Sequence, residues 1–389
     1  MNYIKVNAHL HTPYSFSAFT DVNDALDRAV AENVKVLGIN DFYTAAGYDE
    51  WYAGCKERHL YPLFNIELIS LNEEDQKNGL RVNDPGNPGR TYISGKGLKY
   101  PFSLSEKYAT LLADVRKKSN DQVKAMCEKL NEILVINNIG FSLDFDSITK
   151  ELTKGDIRER HLVKALRMKV YEVAENHESK IKEMLKQLFG GVHLKSLPEN
   201  IADVENEIRA NLLKAGGAAF VPEESDAFLS VAAVSEIILN GGGIPTYPFL
   251  ADDKNGSYTD FENDLEQVAK ELEKRGFHSV EFITTRNDVH LLEKYAVYLY
   301  EAGFVVSFGS EHNSPTMEPI ELFARNHTPL TERLRKINYE GACVIAAHQH
   351  LISEGKQGYV DKDGNADRSQ MNSFIEMGDK LIQEEVNLK

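Results

Sequence analysis

Two histidines one residue apart, His9 and His11 in N-A-H-L-H-T-P-Y-S, carry the clearest chemical potential in the chain. They end an apolar-alternating stretch from Tyr3 to Ala8, and a strand turns successive side chains to opposite faces, so both imidazoles point the same way. Two imidazoles so placed can grip one metal ion. The same pair also fits hydrogen-bonded polar residues at a strand end, so further ligands must be sought elsewhere. Cys55, Cys127 and Cys343 are an odd number at wide spacings without C-x-x-C, which points to neither a disulfide framework nor a thiolate zinc site. Any metal must use nitrogen and oxygen ligands.

The elements that would position these groups alternate at both ends of the chain. Strand patterns cover Tyr3 to Ala8, Val34 to Ile39, Leu60 to Ile66 and Arg90 to Leu98, with a helix from Asp21 to Glu32 capped near Thr20 and another around Trp51. From about Ser103 to Asn240 only helix-period segments occur: Lys107–Asn137, Arg158–Glu175, Lys180–Leu188, Ala202–Ala215 and Asp226–Leu239. Alternation resumes with strands near Ile244–Phe249, Ser279–Thr284 and Phe304–Phe308, separated by helices at Asp260–Arg275 and Asp288–Ala302. Helices Thr331–Lys336, Tyr339–Glu354 and Gln370–Glu385 close the chain. Residues 1–100 and 241–389 therefore read as one barrel, and 101–240 as a helical insertion that can cover its mouth as a lid. Polar residues support a barrel over an open sheet. Asp41, Glu67, Tyr247, Glu281, Glu311 and His312 all fall at or near the carboxyl ends of strands, which converge on one mouth in a parallel barrel.

Composition bounds the partners. With 42% hydrophobic and 27% charged residues, the chain reads as an ordinary globular protein rather than a disordered one. A formal charge of -16 and the lack of any basic stripe oppose binding to nucleic acid. No run of about 18 apolar residues predicts a membrane span, and the start M-N-Y-I-K-V lacks the basic and apolar parts of an export signal, so a cytoplasmic location is expected. The triplet N-G-S at Asn255 then needs no glycosylation. Oligomeric state is not legible.

The segments H-L-H-T-P-Y-S, G-I-N-D-F-Y-T-A-A-G, F-N-I-E-L-I-S, G-G-G-I-P-T-Y-P-F and F-G-S-E-H-N, in this order, resemble the PHP superfamily, named after its polymerase and histidinol phosphatase members. The resemblance spans nearly the whole chain and implies an α/β fold, a distorted (β/α)7 TIM-like barrel here carrying the helical insertion. It also implies a metal-dependent hydrolase, since family members commonly use two or three divalent ions to cleave phosphate esters. Several family positions are altered. Phe42 stands where D-H has His, Tyr247 where A-H-P has His, and Asn313 where G-S-D-x-H ends; Phe16 to Phe19 offer no ligand after the first motif. What survives, His9, His11, Glu67 and Glu311, corresponds to the ligand set of a single ion. The expected cofactor is one firmly held divalent metal (Zn, Mn or Fe) and at best a weak second.

Roles follow from that resemblance and from side-chain chemistry. Asp41 can accept a proton from activated water or cap the loop N-D-F-Y-T-A-A-G; Glu311 can ligate the ion or act as base beside it; His312 can replace the lost His or be incidental. Lys96, Arg158, Arg160 and Arg286 are the cations to meet an anionic substrate, because Arg offers a planar fork for phosphate or carboxylate. His161, in R-E-R-H, resembles weakly an Arg-x-His of some relatives, and Tyr247 should wall the vacated space. His348 and His350 lie on a helix about 200° apart and cannot share an ion. The expected function is hydrolysis of a small phosphorylated metabolite by activated water. The alternatives are a single-metal enzyme for a carbohydrate-like, amide or lactone substrate, and a catalytically silent metal-binding domain.

Overall fold

The structure, a computed structural model, describes residues 3–252 and 256–387, so Asn255 lies outside the described residues. Seven strands form one sheet in chain order: β1 (Lys5–Leu10), β2 (Val34–Phe42), β3 (Tyr61–Leu71), β4 (Arg90–Lys96), β5 (Ile244–Phe249), β6 (Ser279–Ile283) and β7 (Val305–Gly309). Helices α1 (Val22–Ala31), α2 (Tyr48–Glu57) and the short α3 (Glu73–Lys77) fall between the first four strands. The sheet curls until its edges meet at the mouth. There Leu10 bridges Glu311, with His11 N donating to Glu311 O at 2.7 Å and Glu311 N to His9 O at 3.0 Å. Gly309 permits this approach, since a Cβ there would stand 2.2 Å from the His9 Cβ. The distorted seven-stranded barrel expected from the resemblance is thus observed.

One strand runs the other way. β4 pairs antiparallel with both β3 and β5, whereas the remaining pairs are parallel. Its start, Arg90 opposite Leu71, therefore lies at the mouth, and its end, Lys96 opposite Ile244, lies deep in the barrel. Side chains from strands that are not neighbours meet across the interior, and many are polar: Asn7, Asn40, Ser94, Lys96 and Glu281 are all fully buried. The apolar core instead lies between the strands and the surrounding helices, around Leu37, Phe64, Val280, Phe282 and Phe308.

Between β4 and β5 come only helices: α4 (Glu106–Ile136), α5 (Phe145–Leu152), α6 (Glu159–Val173), α7 (Glu178–Leu188), α8 (Ile201–Ile208), continued by a π turn over Arg209–Leu213, and α9 (Val231–Asn240). Leu130, Leu162, Leu166, Leu185 and Ile208 build a second core that is separate from the barrel's. The expected boundaries shift in detail. Leu112 and Val115 at the start of α4, and Val234, Ile237 and Ile238 of α9, pack in the barrel core, so both ends of the helical segment belong to the barrel's outer layer.

After β5 follow α10 (Leu265–Lys274), α11 (Val289–Glu301), α12 (Glu332–Ser353) and α13 (Met371–Val386). The two helices expected at Thr331–Lys336 and Tyr339–Glu354 are one, α12, because Asn338 does not break the helix but binds across it. Its side chain donates to Val6 O at 3.1 Å and accepts from Phe308 N at 2.8 Å, tying α12 under β1 and β7. His348 on the same helix is buried between Gly242 O and Tyr359 N, and His350 faces Glu354, so these two histidines are structural. Among the described residues no helix is long and apolar enough to cross a membrane.

Candidate metal centre and cleft

His9 near the end of β1 and His11 just after it lie on the inner side of the barrel, both fully buried, their Nε2 atoms 3.2 Å apart. Glu67, on β3, brings Oε2 to 3.1 Å from His11 Nε2 and 3.7 Å from His9 Nε2. Ligands at 2.0–2.1 Å around a tetrahedral ion stand about 3.3 Å from one another. The three atoms match the edges of such a face. Glu67 Oε2 is also buried without a hydrogen-bond partner, and burial pushes the Glu67 carboxyl up to about 8, with His9 opposing. A divalent cation held by His9, His11 and Glu67 would satisfy that oxygen, and these residue types suit Zn, Mn or Fe.

The ring nitrogens facing away from this triangle are held by the protein. His9 Nδ1 lies 3.0 Å from Glu281 Oε2, which leaves Nε2 for the ion and follows the carboxylate–histidine–metal pattern. Glu281 is in turn bound by Lys96 Nζ at 2.6 Å and by the Ser94 hydroxyl. Burial works to raise the Glu281 carboxyl, but Lys96 and His9 hold it below the ordinary carboxylate range. Asn40 Nδ2 lies against the His9 ring, 3.2 Å from Nδ1 and 3.0 Å from Nε2, so an ion at Nε2 would displace it from that atom, and its Oδ1 accepts from Lys96. His11 Nδ1 meets Ser15 Oγ at 3.2 Å. Sequence reasoning placed Glu281 among the strand-end polar residues without a role and missed Asn40 and Ser94; an acid between apolar neighbours in S-V-E-F-I was the available signal.

Several expected roles are corrected by placement. Asp41 does not cap its own loop: it accepts from Thr12 N at 2.7 Å and from the hydroxyls of Thr12 and Ser15, fixing the turn after β1 behind His11. Burial raises its carboxyl, with His11, Ser15 and Thr12 opposing. Lys96 cannot meet a substrate at the mouth, because antiparallel β4 sends it into the barrel. His312 turns away after two consecutive residues of positive φ, 66° at Glu311 and 57° at His312. Its ring stacks on Phe19, Nδ1 lies 2.9 Å from Ser310 Oγ, and Nε2 lies 2.8 Å from Glu318 O, so both ring nitrogens are engaged outside the His9–His11–Glu67 group. His161 accepts from Arg158 N at 2.9 Å and packs edge-on against Phe16, which makes it the N-terminal brace of α6 instead of a substrate contact. Burial drops its imidazole to about 3, so it stays neutral.

Tyr247 also departs from expectation. It points to the outer face of β5, against Phe261 and Phe277, and its hydroxyl donates to Glu262 at 2.8 Å. Glu262 further accepts from Leu250 N and Ala251 N, and burial raises its carboxyl from 4.5 to about 8. A raised acid favours folding most below its unfolded value. Stability is therefore expected to fall as pH rises from about 4.5 to about 8, by no more than ~4 kcal/mol. Denaturant midpoints across that window should show a slope that Glu262→Gln removes; parallel curves for both proteins would contradict this.

Glu311 is near the triangle but not in it. Its Oε2 takes Arg286 at 2.6 Å, and though burial works to raise its carboxyl, Arg286, His9 and His11 hold it low. The three-residue group is thus the candidate site for one ion, and Glu311 stands beside it with Arg286. Phe42 stacks on His11 at 4.7 Å between centroids, and the Arg158 guanidinium lies 4.7 Å over Phe42. An aromatic ring and a cation occupy the space beside the ligands. Above the centre opens a cleft of about 560 Å³. Glu67, Phe42, Arg90, Arg286 and Glu311 line it from the barrel, and Met126, Arg158, Arg160, Lys214 and Phe220 from the helical segment.

A distorted barrel whose inward His and Glu residues converge on one candidate cation site defines the class of protein. The PHP domain model matches residues 7–226, more than half of the chain, and the chain belongs to that family. Two solved structures share the fold. A candidate metal-dependent phosphoesterase from Bifidobacterium adolescentis is 15% identical with a TM-score of 0.55, covering 86% of this chain and 95% of its own. An amidohydrolase from Chromobacterium violaceum, solved with sulfate and no metal, is 15% identical with a TM-score of 0.53, covering 86% of this chain and 96% of its own. No match is found among curated proteins.

Proposed function

We propose that the protein is a metal-dependent hydrolase of a small anionic substrate, a phosphoester foremost. The observation that carries this reading is the buried His9–His11–Glu67 triangle, with its orphan carboxylate oxygen, opening into a cleft edged by arginines. A divalent ion held there supplies Lewis-acid polarisation of the substrate and a water of lowered pKa. The residues around it divide the remaining work. Glu281 and Ser15 fix the two imidazole orientations. Glu311 faces the cleft as a carboxylate with one oxygen on Arg286, and its other oxygen can take the proton of the attacking water, whereas both Asp41 oxygens are occupied by Thr12 and Ser15. Arg286 and Arg158 present cations to the anionic group, and the helical segment acts as the lid that keeps water out.

Metal analysis of purified protein followed by a phosphate-release screen with added Mn tests this. The expected result is bound metal and release that His9→Ala and Glu67→Ala abolish. Release that survives both substitutions would indicate contamination and refute the reading. Grouping of three ligand residues around one ion also suits amide or lactone hydrolysis; turnover of such substrates without phosphate release would move the assignment there. Bound metal without turnover in broad screens would leave a metal-binding domain.

A further inference from the structure

Arg160, Arg209 and Lys214 converge on the roof of the cleft, and all three line it together with Glu159. They come from the start of α6 and the π turn after α8. Only Arg209 has a carboxylate partner there, Glu159, which it meets through Nε at 3.0 Å. Arg160 donates to the neutral Asn206 side chain and lies over Phe16, and Lys214 makes no ion pair among the described residues. Other acids nearby are already taken: Glu205 by Arg167 at 3.0 Å, and Asp84 and Glu223 by Arg90. The cations also press on one another. Burial and Arg209 lower both Arg160, to about 10, and Lys214. Glu159 is the acid that offsets all three, so in a chain of net charge -16 the cleft roof keeps an excess of cations over acids, a costly arrangement without an anion.

We infer that Arg160, Arg209 and Lys214 form a second anion subsite, which holds a non-reacting carboxylate or phosphate of the substrate away from the metal centre. The cleft wall also carries apolar side chains, Phe42, Val123, Met126, Leu213 and Phe220, beside the polar Ser119 and Gln122. The substrate class is therefore a small molecule with an anionic group at each end of a spacer that can rest against these apolar side chains. This rests on the proposed function for the metal end only; the roof subsite stands on its own residues.

The probes are ω-phosphonoalkanoates of four to eight carbons, each compared with the alkylphosphonate of equal length, by calorimetry on Mn-loaded protein. At least one length should bind about tenfold tighter than its alkyl counterpart, the value of one good charge-assisted contact. Arg160→Gln/Lys214→Gln should erase that advantage while changing alkylphosphonate affinity less than about twofold. Lys214→Arg in the otherwise unchanged chain should keep it, and thermal melts confirm folding of each variant. No advantage at any length, or an advantage that survives the double substitution, overturns the subsite. Failure of the metal reading has a different signature: alkylphosphonate binding indifferent to Mn and to Glu67→Gln, with the carboxylate advantage still dependent on Arg160 and Lys214.

Discussion

Lys96→Met is expected to lower stability by about 3–5 kcal/mol and to weaken metal binding about 10–100-fold. The ammonium and the Glu281 carboxylate are 2.6 Å apart with neither exposed to solvent. Removing one partner leaves a buried charge whose remaining contacts among the described residues are the Ser94 hydroxyl and His9. Glu281 would then take up a proton and lose its grip on His9 Nδ1, so the imidazole that faces the ion would no longer be held. Denaturant unfolding and chelator competition read the two effects separately. The pair as a whole need not stabilise: Lys96→Met/Glu281→Leu should recover most of the lost stability, because well-packed apolar residues replace buried ion pairs at little cost. Metal affinity should stay low in that double variant. Stability within about 0.5 kcal/mol of the parent in Lys96→Met, with unchanged metal affinity, would show that Lys96 plays no part in holding the centre.

Glu67→Gln separates a ligand from a structural acid. With its carboxyl raised by burial to about 8, Glu67 works against folding of the metal-free protein as pH rises from 4.5 towards that value. The neutral amide removes this opposition. At pH 7.5 metal-free Glu67→Gln should therefore melt no lower than metal-free parent. Adding Mn or Zn reverses the order. The parent gains about 4 kcal/mol when free metal is 1,000 times its dissociation constant, and the variant gains little because its affinity falls by about 100-fold or more. A variant that is strongly destabilised without metal, yet keeps the full metal-induced rise, would make Glu67 a structural residue.

How far the sequence carries such an account can be judged from particular elements. The strands are readable because apolar runs recur between helix-period segments, and the placement of His9 and His11 at the end of the first follows from that; β3 instead runs on to Leu71, past the end expected at Ile66, so Glu67 lies within it. The direction of β4 is not readable: nothing in R-T-Y-I-S-G-K distinguishes a strand entering the mouth from one leaving it, and this alone exchanges Lys96 for Arg90 as the cation at the cleft. Tyr247 fails for a related reason. I-P-T-Y-P-F is covered on both faces, so it lacks the apolar–polar alternation that would tell which side chains point inward. His312 is misplaced by two left-handed residues in succession, a backbone choice that neither residue type announces. Glu281 shows the opposite failing, a visible signal left unused, since an acid flanked by Val280 and Phe282 on a buried strand requires a partner.

The central claim is that one cation joins two imidazoles of β1 to a carboxylate of β3. Anomalous diffraction from crystals grown with Mn or Zn tests it most directly. The account predicts a single strong peak about 2.0–2.2 Å from His9 Nε2, His11 Nε2 and a Glu67 carboxylate oxygen, with His9 Nδ1 still on Glu281. No peak there at saturating metal, or a peak held by other residues while these three side chains point apart, would contradict it.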